Sequence, residues 1–353
     1  MPNDTPTQPN DEPKVFTVSL NMTGEINVSQ DILTRFTPDE NDLIGIQVSY
    51  RPESEYSDKY YAYGLFDNLD NITIDLLENH VYKFEVILIN DGKNKIYDDI
   101  LTIDEVDYVG YGQPFESYIS LDDDDDDYWS SGDYLITPIT NQFIISEDDY
   151  FDALTGGYQL KGTTEVYECP ENLDVYYGYT ENYTPQSDSD VISIFLKRMI
   201  YGIKITAGDF LTDGVLTAKI WNHSYGYNYN NYHYVDLTPA TKEISIQYAF
   251  SDTYVDKVYG SGNYDMYTWY MATELDDAYM EIPVGFTWKR SNGDVIEWKE
   301  DDYVVNRLKQ TIINLEYYTD GSVNNNLGIT FEDWEISDGM SYTHGEDQED
   351  FEF

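Results

Sequence analysis

The sequence holds one cysteine, Cys169, in 353 residues, so no intramolecular disulfide can form and no bridge framework or Cys-ligated zinc is available. A lone thiol of this kind is most simply a small buried hydrophobe. Cations are scarce too: 19 Lys plus Arg stand against 68 Asp plus Glu, a formal net charge of −49. Nucleic acid and anionic membrane surfaces both require clustered Lys and Arg, so neither is an expected partner. The four histidines, His80, His223, His233 and His344, make no H-E-x-x-H and no i,i+4 pair that would face a metal. No apolar run approaches the ~18 to 20 residues of a membrane span, and no basic segment followed by an apolar one opens the chain. Also missing are a G-x-S-x-G elbow, a G-x-x-x-x-G-K-[ST] phosphate loop and a G-x-G-x-x-G after a strand. The chain is therefore read as non-enzymatic and without a cofactor; a pair of glycosidase-like carboxylates is uninformative among so many acids.

What remains is an aromatic, acidic and moderately apolar chain. Tyr is the outlier at 36, with 14 Phe and 6 Trp, and the hydrophobic fraction of 41% suffices for a core. At the usual ~150 residues per domain the length predicts about two domains. Strand-favouring aromatics outweigh helix formers, so the expected fold class is all-β.

Residues 1–13, rich in Pro, Asn, Asp and Thr, read as a disordered tether, equally suited to an exported mature chain and to a plain disordered terminus. Beyond it Phe16, Val18, Leu20 and Met22 share one face while Thr17, Ser19 and Asn21 share the other, the period of a half-buried strand. Ile44, Ile46, Val48 and Tyr50 repeat that pattern after a polar connection of about twenty residues centred on Arg35. Val81 to Ile89 reads as a central strand closed by the hairpin signal Asn90-Asp91-Gly92. The polar stretch at 180–190 marks a boundary near residue 186, giving sandwich domains over 14–185 and 186–337 and an acidic tail over 338–353. About seven short strands in each half is the count of a β-sandwich. Ile200 to Ile205 and the segment after Tyr303 have room for a helical turn or two.

Two local features invite a ligand reading. Asp122 to Asp127 must be an exposed loop, because adjacent carboxylates cannot all ionise away from water or cations. An oxygen-rich calcium site is chemically open there, yet Tyr128 and Trp129 follow where a calcium loop needs its glycine, so no metal is assigned. The stretches Tyr225 to Tyr234 and Tyr264 to Tyr270 set aromatics beside amides and carboxylates, as faces that stack on sugar rings do. Tyr232, Tyr234, Tyr267, Trp269 and Tyr270 are the candidate glycan contacts of this alternative, a monomeric surface glycan-binding lipoprotein.

Taken in order, several segments resemble the fimbrillin-like subunits of type V fimbriae, surface lipoproteins of Gram-negative bacteria. They are Val15 to Met22, Leu33-Thr34-Arg35-Phe36, Leu43 to Tyr50, Tyr177-Gly178-Tyr179, Leu196 to Ile205, Val305 to Leu315 and Leu327 to Trp334. The resemblance implies two transthyretin-like sandwich domains and a cell-surface location, outer membrane-anchored or fimbrial. It implies processing after Arg35, removal of the first strand with Phe16, Val18, Leu20 and Met22, and filling of the groove by a strand of the next subunit. The implied partners are other fimbrial subunits and surface receptors or glycans, with the membrane reached only through a lipid anchor. No lipidated cysteine precedes the tether, as a trimmed leader would explain, and the 338–353 tail is too acidic to be an obvious donor strand.

Overall fold

The computed structural model describes residues 14–24, 38–56, 58–69, 71–103, 106–112, 136–145, 158–159, 166–167, 173–221, 232–249, 255–259, 265–269, 279–318 and 329–332. The fold is all-β. In chain order the first strands are β1 (Val15–Gly24), β2 (Leu43–Pro52), β3 (Lys59–Phe66), β4 (Thr73–Leu77) and β5 (His80–Ile89). A one-turn helix α1 (Gly92–Lys95) leads to β6 (Asp98–Ile103), β7 (Val106–Gly112), β8 (Ile136–Pro138) and β9 (Ile144–Ile145). Two short strands, β10 (Tyr158–Gln159) and β11 (Val166–Tyr167), precede β12 (Val175–Tyr183) and β13 (Val191–Arg198). Next come β14 (Ile200–Thr206), β15 (Val215–Trp221), β16 (Tyr232–Leu237), β17 (Glu243–Ala249), β18 (Val255–Tyr259) and β19 (Asp265–Trp269). The last are β20 (Tyr279–Lys289), β21 (Val295–Asn306), β22 (Gln310–Asn314) and β23 (Ile329–Glu332).

Up to Arg198 eight strands form one sheet in the order β4-β1-β13-β12-β5-β2-β3-β9, with β6-β7-β8 and β10-β11 in separate small sheets. β13 is the hinge of this array: residues 191–196 pair with β1, while Lys197 and Arg198 pair with Tyr177 and Tyr176 of β12. Gly178 permits the crossing, since a Cβ there would fall 2.5 Å from the Phe195 carbonyl oxygen. Apolar residues at alternate positions of β1, β2, β4, β5 and β13 make one buried cluster. The opposite faces of β2, β5 and β12 are covered as well, with Leu43, Ile87, Ile89, Val175 and Tyr177 in a second cluster. That cluster continues into a pair of four-stranded sheets, β17-β14-β22-β23 and β16-β15-β20-β21, whose inward residues it joins in a sandwich arrangement.

Two expectations change. The Asn90-Asp91-Gly92 signal does not close a hairpin: Asp91 takes a left-handed conformation (φ 56°), the chain enters α1, and β6 pairs with β7 rather than with β5. The turn is tied instead to the segment before β2, through the Asp91 amide on the Asp42 carboxylate (2.9 Å) and the Lys93 amide on the Asn41 carbonyl (2.9 Å). The helical turns allowed at Ile200 to Ile205 and after Tyr303 are strand, β14 and the end of β21; the short 3-10 turn falls at Gly208–Phe210. β13, the strand after residue 186, pairs with β1, and its Ile192, Ile194 and Leu196 enter the same buried layer. The chain passes to the second pair of sheets at Met199.

Candidate functional site

The alternation read in the sequence produces a strand buried on one face only. Phe16, Val18, Leu20 and Met22 are each less than a tenth exposed, while Val15 and Thr17 lie open. At ~1.5 to 3 kcal/mol per side chain, these four contribute on the order of 6 to 12 kcal/mol before ordering costs. They share their cluster with Ile74 and Leu76 of β4, Ile192 and Ile194 of β13, and Phe84 and Val86 of β5.

β1 lies between two other strands. Val15 to Ser19 pair antiparallel with Leu77 to Thr73 of β4, and Ser19 to Gly24 pair parallel with Val191 to Leu196 of β13. The ladder passes from one edge to the other at Ser19, whose amide bonds to the Asp190 carbonyl (3.0 Å), while the next amide, Leu20, bonds to the Ile72 carbonyl (3.0 Å). Without β1, β4 and β13 would each present a bare hydrogen-bonding edge on either side of an apolar floor.

The turn before β13 is built around one carboxylate. Asp190 accepts the Tyr183 hydroxyl (2.9 Å), the Gln186 and Ser187 amides (2.8 and 3.2 Å) and the Ser187 hydroxyl (2.6 Å). The Ser187 hydroxyl first, then the Gln186 amide and the Tyr183 hydroxyl, hold its pKa down at about 2 from an ordinary 3.8. A depressed carboxyl stabilises the fold above its unfolded pKa and loses that contribution as pH falls through the folded value. The turn is thus expected to hold at pH 4 and to loosen as pH falls towards 2. Carboxyl-carbon NMR titration checks this: an Asp190 midpoint near 3.8 would contradict the hydrogen-bonded turn.

A buried ion pair sits where β13 leaves the array. Arg198 donates through Nε and a terminal nitrogen to the two Asp174 oxygens (2.7 and 2.8 Å), and its guanidinium lies 5.6 Å from the Tyr176 ring centroid. The Asp174 carboxylate also accepts the Asn90 side-chain amide (2.7 Å), which ties β5 to the same point.

Several residues singled out in the sequence fall elsewhere. Arg35, Cys169, Tyr270, the Asp122 to Asp127 run, His223, His344 and Trp334 lie outside the described residues, as do Tyr225 to Asn231. Tyr267 and Trp269 are on β19, in a separate two-stranded sheet with β18, where Tyr267 pairs with Lys257 and Trp269 with Val255. Tyr232 and Tyr234 share the outer face of β16, and Tyr234 is 57% exposed. The Tyr232 ring is already engaged: the Lys219 ammonium sits 3.8 Å from its centroid, Trp221 meets it edge-on at 4.8 Å, and its hydroxyl donates to Glu300 (3.3 Å). His80 donates from Nδ1 to the Glu78 carbonyl (2.9 Å) and packs beside Tyr50. Among the described residues no group of three or more His, Cys, Asp or Glu is arranged to hold a metal ion, and no helix is long and apolar enough to cross a membrane.

Two features of the site have no local signature in the sequence. One is the parallel pairing of β1 with β13; the other is the pair of carboxylates, Asp75 and Asp188, that meet Thr17 from the two edges.

No protein-family model matches the sequence, and no curated protein matches it. Solved structures do. The tip fimbrial protein Mfa3 of Porphyromonas gingivalis, with a C-terminal truncation, is 8% identical over 91% of this chain and 100% of its own, with a TM-score of 0.33. The fimbrial anchor protein Mfa2 of the same organism is 9% identical over 92% of this chain and 98% of its own, at a TM-score of 0.34. A candidate adhesin of Bacteroides thetaiotaomicron is 10% identical over 92% and 97%, at a TM-score of 0.37.

Proposed function

We propose that this chain is a fimbrillin-like surface subunit that assembles with other subunits by donor-strand exchange, and that its work is adhesion. The observation that carries the proposal is the seat of β1. It is paired on both edges, supplies four buried side chains to its layer, and is joined to β2 only through residues 25–42. A long connection is the kind of segment a protease reaches, and cutting it at Arg35 would leave β1 held by non-covalent contacts alone. A strand from another subunit can then replace it, because strand addition satisfies both the bare edges and the apolar floor. Net charge is consistent with this order of events: a chain at −49 repels its copies, so association needs a specific attraction such as an opened apolar groove. On this reading the protein is a structural component rather than an enzyme, held at the cell surface, outer membrane-anchored through lipid or built into a fimbria.

Limited digestion of the full chain with an arginine-specific protease tests the proposal. Cleavage after Arg35 with loss of the β1 fragment and growth into filaments or ladders, seen by light scattering and electron microscopy, is the expected result. A chain cut at Arg35 that keeps the fragment and stays monomeric would overturn it.

A further inference from the structure

We infer that Asp75 and Asp188 select the incoming strand by the side chain it presents at the position of Thr17, accepting a hydroxyl or an ammonium and rejecting a carboxylate; this rests on the exchange reading above. Thr17 meets a carboxylate at each edge of β1. Its hydroxyl donates to Asp75 Oδ1 (2.5 Å), the residue directly opposite it on β4, and its amide donates to Asp188 Oδ1 (3.3 Å), in the turn before β13. The Asp190 carbonyl accepts the next amide but one, that of Ser19, so the carbonyl and carboxylate oxygens of one turn line this edge.

The resident strand matches that surface. In a chain with 68 acidic residues, Val15 to Gly24 contains none, and its outward positions are Val15, Thr17, Ser19, Asn21 and Thr23. Lys14 stands just before it, its ammonium 4.1 Å from the Phe16 centroid. Any replacement that fills the floor with four alternating apolar side chains must set its own residue between Asp75 and Asp188. A Ser or Thr repeats the present bond to Asp75, and a Lys brings an ammonium to the same side, with Asp188 still accepting the backbone amide. A Glu or Asp brings a third negative charge to a site that already holds two, and like charges in juxtaposition discriminate strongly between partners. The apolar floor therefore sets affinity, and this pair sets which acidic strands are refused.

The test uses the full chain with a specific protease site placed in the 25–37 connection, nicked and then offered fluorescent peptides of residues 14–24. The parent peptide and its Thr17→Ser and Thr17→Lys forms should be captured with similar affinity. Thr17→Glu should bind about tenfold more weakly. Asn21→Glu, at a position whose partner is Ser193, should lose less than about threefold and controls for the overall charge. In a nicked chain carrying Asp75→Asn and Asp188→Asn, the Thr17→Glu peptide should recover to within about threefold of the parent. Equal capture of the parent and Thr17→Glu peptides, equal losses at positions 17 and 21, or a loss that persists in the Asp75→Asn, Asp188→Asn chain would overturn the selection alone. Failure to capture even the parent peptide would overturn the exchange reading beneath it.

Discussion

Val18→Asp is expected to empty the β1 groove without any protease. Val18 is 1% exposed at the middle of the strand, and a carboxylate has no partner in the layer formed by Ile74, Phe84 and Ile192. Leaving an ionised group there costs several kcal/mol, a large part of the roughly 6 to 12 kcal/mol gross that the four apolar side chains supply. The cheaper state has β1 out of its groove with the new carboxylate in water, the rest of the array holding through β2, β5 and β12. Hydrogen exchange should then speed up at Thr73 to Leu77 and Val191 to Leu196, the two edges that β1 covers, more than at β14 or β20. Light scattering should show self-association at concentrations where the parent is monomeric. Unchanged protection of both edges would mean that β1 is not separable from its layer.

The second large effect is expected at the junction. Asp174→Ala leaves the Arg198 guanidinium, whose side chain is only 8% exposed, without its bidentate partner, and breaking one side of a buried pair costs about 3 to 5 kcal/mol. Replacing both residues with apolar ones of similar volume, Asp174→Leu with Arg198→Met, should recover most of that loss, since the pair is as costly to desolvate as it is favourable to form. Denaturant unfolding of the three chains decides the matter. A single variant within about 1 kcal/mol of the parent would show that water reaches the guanidinium and that the pair does not fix β13 to β5 and β12.

Strands with one buried face are the legible ones. Phe16, Val18, Leu20 and Met22 alternate cleanly because the other side of β1 faces water, and the structure keeps them together. β2 is half legible: Ile44, Ile46 and Val48 share a layer as their spacing implies, but Gln47 and Ser49, on the face expected to be open, are buried at 6% and 7% because a second cluster covers that side. β14 shows the same effect more strongly. With Ile200, Tyr201, Gly202 and Ile203 all buried, its run carries no period of two, and an apolar stretch of that length is ambiguous between strand and helical turn. Asn90-Asp91-Gly92 misleads for a different reason, since the left-handed residue it signals starts a helical turn as well as it closes a hairpin. The site itself is legible in its apolar half alone. Nothing in the local pattern around Thr17 announces Asp75 or Asp188, because those contacts come from tertiary placement of β4 and of the turn before β13.

The parallel register of β1 and β13 also fixes how the joint bears tension. β13 leaves the groove at its Leu196 end and within a few residues becomes β14, so a load from the second pair of sheets reaches the ladder at the end where Gly24 lies. A strand seated as β1 is, but tethered to its own subunit through its leading end near Val15, would be pulled the opposite way along the axis. Every pair from Ser19 with Val191 to Gly24 with Leu196 would then resist together, in shear. The resident strand is tethered at the other end, beyond Gly24, and a pull from there parts the same pairs one after another, as a zip opens. The same ladder thus resists a strand pulled from its Val15 end more than one pulled from its Gly24 end, a directionality that the exchange proposed above would use.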